Sequence, residues 1–163
     1  MHKTLSATLL LLCCFCAGPL LAQQPNDEAA VLHTVDAFFL ALGARDKAAL
    51  EALTFPGSLN ISVNMGSDGA NSLGIRNYEQ LIAALSRPGG AQALERYWDA
   101  TVLIQGDIAV FWAPYDFHVD GEFSHCGIDS FQFIRQQGEW LISNLSWTLE
   151  RENCPVSPLG AVP

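Results

Sequence analysis

The chain has 163 residues, which is the size of one domain with a single core. It carries 17 acidic residues against 8 Lys and Arg, and loss of a leader containing Lys3 would leave 17 against 7, a net charge of −10. Nucleic acids and anionic membranes are bound through clustered basic side chains. The excess of acidic residues therefore disfavours both of these partners.

The first 22 residues have the layout of a secretory signal peptide. Lys3 precedes an apolar run, and small residues lead to Ala22, after which cleavage is expected. The alternative is a retained membrane anchor, but Ala17, Gly18 and Pro19 interrupt a run that is already short for a span of about 20 apolar residues. We therefore expect a secreted or periplasmic protein that has no membrane contact after cleavage. The domain is expected over residues 23–154 and an irregular tail over residues 155–163.

Helical patterns fill the first part of this domain. A 3.6-residue apolar stripe predicts a helix that begins near Asn26. The stripe consists of Val31, Val35, Phe38 and Leu42. A short helix is predicted over residues 46–53 and a half-buried strand over residues 59–65. A glycine-rich loop follows, and Asn77 with Gln80 forms the capping box of a third helix.

Alternation with period two begins after Ala91 and continues to the end of the domain. It predicts four long antiparallel strands over residues 93–104, 107–119, 122–135 and 139–151, separated by turn signals. Helices followed by a meander of strands predict an α+β fold in which three helices pack on an antiparallel sheet.

Cys126 and Cys154 are the cysteines that remain after the leader is removed. An oxidising compartment favours a disulfide between them. The alternative is a reactive Cys126 thiol with His125 as its base, but neighbours on a strand point to opposite faces, so His125 cannot serve Cys126 directly.

The Asp120-Gly121 turn sets the expected register of its hairpin, with Asp116 opposite His125 and Trp112 opposite Asp129. Charges are costly to bury, so we expect the charged face of the sheet to point outward and the apolar face to line a cavity. The charged face comprises Glu95, Asp99, Asp116, His118, His125 and Asp129. The candidate pocket residues on the apolar face are Arg96, Trp98, Tyr115, Phe117, Ser130 and Trp147. A bulge at Pro114 is the alternative, since it would exchange the two faces beyond it.

His125, Asp116 and Asp129 are the candidate catalytic residues. A cross-strand Asp116 carboxylate would raise the pKa of His125 and fix its tautomer, whereas an exposed ion pair is the alternative interpretation. Asp129 lies roughly 13 Å from His125 along the strand, so the two can flank a ligand without bonding to each other. Asp116, His118 and His125 meet only at the hairpin end, and neither a metal site nor another cofactor is predicted.

Four segments together resemble a known family: AAVLHTVDAFFLALGARD in the first helix, then GDIAVFWAPYDF, FSHCGIDSFQFIR and GEWLISNLSWT. They resemble the nuclear transport factor 2-like superfamily over about residues 27–151. The resemblance implies a cone-shaped α+β fold with a curved sheet. The superfamily includes SnoaL-like polyketide cyclases, ketosteroid isomerases and scytalone dehydratase, so the resemblance implies no single activity.

Few functional residues of those families carry over. Ketosteroid isomerases have an aspartate base on the strand after the second helix, and residues 59–65 contain no acid. The protonated aspartate of their penultimate strand falls on Ser130, while Trp147 matches an aromatic pocket residue. Scytalone dehydratase needs two histidines and an aspartate, of which His125 with Asp116 or Asp129 would supply part.

The sequence supports three hypotheses. The first is an exported protein that binds a small hydrophobic or aromatic molecule and has no assignable activity. The second is a cofactor-free isomerase, cyclase or dehydratase that uses His125 with Asp116 or Asp129. The third is a homodimeric interaction module that uses the outer face of the sheet.

Overall fold

The computed structural model describes residues 24–66 and 69–162. The predicted leader, residues 1–22, lies outside the described residues. Within the described residues there are three helices and seven strands: α1 (Gln24–Ala44), α2 (Lys47–Leu53), β1 (Thr54–Asn64), β2 (Ser72–Asn77), α3 (Tyr78–Leu85), β3 (Ala93–Tyr97), β4 (Thr101–Gln105), β5 (Ile108–Val119), β6 (Glu122–Gln136) and β7 (Glu139–Leu149). None of these helices is long and apolar enough to cross a membrane.

The helices form where the apolar stripe and the capping residues predict them, except that α1 begins at Gln24, so Asn26 lies inside the helix and does not cap it. All four residues of the α1 stripe are buried. The Asp46 side chain caps α2 by accepting a hydrogen bond from the Ala49 N–H at 3.1 Å. Asn77 and Gln80 form the predicted capping box at the start of α3. Amphipathic helices of this kind are stabilised mainly by packing, so the sheet decides where they lie.

The strands form one mixed, curved sheet in the order β2-β1-β7-β6-β5-β3, with β4 also paired to β5. The β1–β7 pair is parallel, and the other pairs are antiparallel. The helices cover one face, where buried aromatic residues from α1, β5 and β6 form the core. The predicted α+β fold is therefore confirmed.

Two local features differ from the predicted elements. Part of the predicted glycine-rich loop is strand β2, which pairs with β1. The predicted strand over residues 93–104 is interrupted at Asp99, whose φ of +46° is in the left-handed region. This break separates β3 from β4, and it changes which side chains of this segment face the helices.

The C-terminal segment is tied to the sheet. Cys126 and Cys154 form a disulfide with a Cα–Cα distance of 5.8 Å, and 28 residues separate them in the chain. In the chain-entropy model, closing a loop of this length stabilises the fold by roughly 3 to 4 kcal/mol. Residues 155–162 beyond the disulfide contain neither helix nor strand.

Candidate functional site

A pocket of about 180 Å³ lies between the helices and the inner face of the sheet. Its walls are mainly apolar and aromatic side chains from α1, α3, β6 and β7. The polar groups of the lining come from five residues: Glu95, Tyr115, His125, Asp129 and Trp147. An apolar wall with a few polar groups is typical of a small-molecule site.

A bulge in β6 determines which residues face this pocket. The Asp120-Gly121 turn sets the register that the sequence predicts, with Val119 opposite Glu122 and His118 opposite Phe123. Ser124 is then an extra residue, so that Phe117 pairs with His125. One extra residue exchanges the two faces of a strand beyond it.

The expected orientation of β6 was therefore wrong beyond Ser124. His125 and Asp129 line the pocket, although we expected them to point outward. Ser130 lies on the outer face beside Trp112, although we expected it in the pocket. The bulge is not at Pro114, which pairs regularly with Ile128.

The interruption at Asp99 corrects two more positions. In β3, Glu95 lines the pocket, whereas Arg96 points to the outer face and bonds to Asp116. Trp98 lies between β3 and β4 and is not part of the pocket lining. Tyr115, Phe117 and Trp147 do line the pocket.

Glu95 and Asp129 form a hydrogen-bonded carboxyl pair in the pocket wall. Burial raises the pKa of Glu95 to about 7. Burial, together with the charge of Glu95, raises the pKa of Asp129 well above its usual 3.8. Asp129 is only 2% exposed, and no N–H or O–H group of the described residues donates to its Oδ2 atom. The hydrogen bond between them raises the pKa of Asp129 and lowers that of Glu95, so when the pair shares one proton Asp129 is the donor and Glu95 the acceptor.

His125 forms another part of the wall and is neutral at neutral pH. Its ring stacks on Phe117 with 4.7 Å between centroids and 19° between planes. Burial and the positive charge of Arg151 lower its pKa to about 4. Nδ1 lies 3.0 Å from the Ser124 hydroxyl, which belongs to the bulge residue itself.

Asp116 is not available to His125. It lies on the outer face, 3% exposed, and the Arg96 guanidinium donates to both of its oxygens at 2.9 and 2.6 Å. Burial opposes ionisation of Asp116, but the hydrogen bonds from Arg96 and Ser157 outweigh it and lower the pKa of that carboxyl. Asp116 therefore forms an ion pair with Arg96. The register pairs it with Cys126, so Asp116 cannot orient His125 as a base.

Tyr115 lines the pocket, and its ring contacts the His125 ring edge-to-face with 5.8 Å between centroids. Its hydroxyl donates to the Thr148 carbonyl oxygen at 2.7 Å, which leaves the ring as a wall. Gly127 makes this approach possible, because a β-carbon there would lie 2.0 Å from the Thr148 oxygen. The glycine lets the β7 backbone approach β6 closely at this point.

Comparisons with known proteins show the fold. No family model matches the chain, and no curated protein matches it. Among solved structures, an NTF2-like protein of unknown function from Silicibacter pomeroyi has a TM-score of 0.59 and 19% identity over 78% of this chain and 98% of its own. An NTF2-like protein from Cytophaga hutchinsonii has a TM-score of 0.62 and 19% identity over 76% and 98%. A provisionally assigned NTF2-like dehydratase from Streptomyces avermitilis has a TM-score of 0.59 and 13% identity over 77% of this chain and 97% of its own. The chain thus has the nuclear transport factor 2-like fold.

The structure also corrects the residue transfer from that fold. The pocket-facing acid of the penultimate strand β6 is Asp129, whereas alignment by sequence gave Ser130. Glu95 was not among the candidate site residues, because alternation alone placed it on the outer face. The pairing of Glu95 with Phe117, a residue already expected in the pocket, becomes visible only in the structure.

Proposed function

We propose that the pocket binds a small, uncharged, mainly aromatic molecule that carries a hydroxyl or carbonyl oxygen. The observation that supports this most is the carboxyl pair within an otherwise apolar wall. Isolated carboxyl groups are expensive to bury, so a pair that keeps its proton provides hydrogen bonding at a lower electrostatic cost.

The lining also favours an uncharged ligand. Among the lining residues there is no Lys or Arg, and His125 is neutral. An anionic ligand would meet the Glu95 carboxylate without a compensating cation. Phe38, Phe39 and Phe131 offer ring faces and edges suited to a flat aromatic ligand.

Calorimetric titration with 2-naphthol and naphthalene tests this proposal, since only the former carries a hydroxyl. We expect 2-naphthol to bind about tenfold more tightly, which corresponds to one net hydrogen bond. In the double variant Glu95→Met/Asp129→Leu the two ligands should bind equally, while Ser130→Ala on the outer face should retain the difference. Equal affinities in the unmodified protein, or an unchanged preference in the double variant, would contradict the proposal.

A second candidate function is a cofactor-free isomerase, cyclase or dehydratase. The sequence suggested His125 with Asp116 or Asp129, but the shared proton of Glu95 and Asp129 favours this pair as base and acid. The Glu95 carboxylate would take a proton from a carbon next to a carbonyl, Asp129 would donate a hydrogen bond to the carbonyl oxygen, and the proton would return to carbon. The dehydratase assignment of the Streptomyces avermitilis protein agrees with this class, without transferring its substrate.

Deuterium incorporation separates the second function from simple binding. We expect 2-tetralone in D2O to exchange its α-protons faster with the protein than with buffer, as followed by proton NMR. Glu95→Gln should abolish the enhancement, whereas Ser130→Ala should not. If exchange stays at the buffer rate while 2-tetralone binds, the pocket is a binding site only.

We also propose that the protein works after export. The Cys126–Cys154 disulfide agrees with an oxidising compartment. Intact-mass measurement of protein from the periplasmic and medium fractions should give a chain that begins at Gln23. A chain recovered only from the cytoplasm with residues 1–22 attached would contradict export.

A further inference from the structure

The C-terminal segment crosses three strands on the outer face of the sheet. We call residues 151–162 the C-terminal strap. Cys154 is bonded to Cys126 of β6, Ser157 bonds to Asp116 of β5, and the Gly160 carbonyl accepts from Arg96 of β3 at 3.1 Å. Cys126, Asp116 and Arg96 are register partners, so the strap follows one row of the sheet.

The end of the strap forms the wall of a groove. Leu159 and Ala161 face Leu40 of α1 and Leu94 of β3 across what we call the outer groove. Phe39 and Glu95 line this groove and also line the pocket. These two side chains therefore separate the pocket from the groove, on the side of the molecule where the strap ends.

The disulfide is the strongest attachment of the strap. Apart from this bond, its described contacts with β5 and β3 are the two hydrogen bonds from Ser157 and Arg96. Val156 is 95% exposed and Leu159 is 45% exposed, so apolar burial contributes little. Two hydrogen bonds do not offset the conformational entropy that is lost when the whole irregular segment is ordered.

We propose that the outer groove is the passage by which ligands reach the pocket, and that the Cys126–Cys154 disulfide controls this passage by fixing the strap as its wall. Reduction by a dithiol transfers two electrons and two protons to the disulfide, which gives two thiols and an oxidised dithiol. The freed strap no longer narrows the groove, and exchange between pocket and solvent becomes faster. The inference rests on the proposed binding function, which it extends to the control of access.

Benzene is a suitable probe, since it needs an apolar cavity and no hydrogen bond. Its binding and release rates are measured by NMR exchange in the oxidised protein, in the dithiol-reduced protein and in Cys126→Ser/Cys154→Ser. We expect both rates to rise at least about fivefold without the disulfide, while Kd stays within about twofold, because a gate changes rates and not affinity. Equal rates in the oxidised and reduced proteins, or a change in Kd that follows the release rate alone, would overturn the proposal.

A second measurement requires no ligand. Trp147 lines the pocket, so its quenching by acrylamide reports access of small molecules to the interior. The Trp147 contribution is the difference between the protein and Trp147→Phe, and it should be quenched more strongly after reduction. Ser157→Ala keeps the disulfide and should behave like the oxidised protein.

The two failures are distinguishable. Absence of benzene binding would contradict the proposed function, while acrylamide quenching would still decide whether the strap controls access. Amide exchange in the α1 core should remain slow after reduction, which shows that the strap is released without general unfolding. Equal quenching with and without the disulfide overturns the control of access.

Discussion

Glu95 and Asp129 occupy positions that an apolar side chain would fill at lower electrostatic cost. Their carboxyl groups lie in an aromatic wall, and their proton remains bound where an exposed acid would release it. Replacing a buried polar pair by apolar residues is often neutral or stabilising, so their presence indicates a use in the pocket.

The first prediction concerns Glu95→Gln and the pH dependence of stability. The folded-state pKa of Glu95 is raised from its usual 4.5 to about 7, so its contribution to stability is complete below pH 4.5 and is lost as the pH rises through 7. Glutamine does not ionise. The free energy of unfolding of the variant should therefore rise by on the order of 2 kcal/mol, relative to that of the unmodified protein, as the pH increases from 5 to 8. Urea unfolding across this range measures the difference. A difference that is constant with pH would show that Glu95 titrates as an exposed acid.

The second prediction concerns His125, whose contribution has the opposite sign. Its folded-state pKa is lowered from 6.5 to about 4, so its neutral form contributes stability above pH 6.5 that is lost as the pH falls toward 4. Between pH 6.5 and 4, the free energy of unfolding of His125→Phe should therefore fall by about 1–2 kcal/mol less than that of the unmodified protein, given partial solvent screening. Thermal unfolding at both pH values checks this, and equal acid losses in the two proteins would place His125 in solvent.

At the scale of elements, the sequence predicts the helices and the hairpin turns but not the faces of the strands. The 3.6-residue stripe of α1 and the Asp120-Gly121 turn both hold in the structure. The extra residue Ser124 and the left-handed backbone of Asp99 interrupt the strands, and alternation within a single strand does not reveal such interruptions. Each of these two irregularities exchanges the inward-facing and outward-facing positions of the strand on one side of it.

Those two irregularities explain which site residues could be found in advance. Tyr115, Phe117 and Trp147 lie on strand segments that alternate regularly, and they were assigned to the correct face. Asp129 follows the extra residue Ser124, and Glu95 precedes the left-handed Asp99. Regular alternation across these two points therefore assigned Ser130 and Arg96 to the pocket instead. Energetic reasoning made the same error, because it treated each carboxyl as an isolated charge and did not consider a shared proton.

The third prediction concerns the contact between β6 and β7. A β-carbon at Gly127 would lie 2.0 Å from a backbone oxygen, which cannot move without breaking the bond from Tyr115. We expect Gly127→Ala to destabilise the fold by about 3 kcal/mol, as overpacking of a fixed neighbour does. Gly74→Ala is the matched control on β2, where the nearest atom is the movable Ser62 hydroxyl. Comparable stability losses in the two variants, measured by urea unfolding, would contradict this account of the close approach.

At the scale of the whole molecule, the helices cover one face of the sheet and the other face keeps exposed apolar side chains. Trp112 is 51% exposed on this outer face, beside Val63 and Ile128. Exposed apolar patches of this kind are common at interfaces between subunits. We propose that the protein is a homodimer that pairs through the outer face.

The fourth prediction tests this assembly. Trp112→Glu should shift the mass measured by light scattering toward that of one chain, because a carboxylate would be buried without a partner. Leu40→Glu is the control, since Leu40 is also exposed, at 75%, but lies on α1 and not on the outer face of the sheet. A mass of one chain at every concentration of the unmodified protein would contradict the homodimer.

The most direct test of the account is a carbon-13 NMR titration of the side-chain carboxyl groups of Glu95 and Asp129. We predict that the Glu95 carboxyl titrates with a midpoint near 7 and that Asp129 still holds its proton at that pH. Addition of 2-naphthol should shift both signals. If both carboxyl groups are fully ionised by pH 5, no proton is shared in the pocket wall, and the proposed recognition of a ligand oxygen by this pair is wrong.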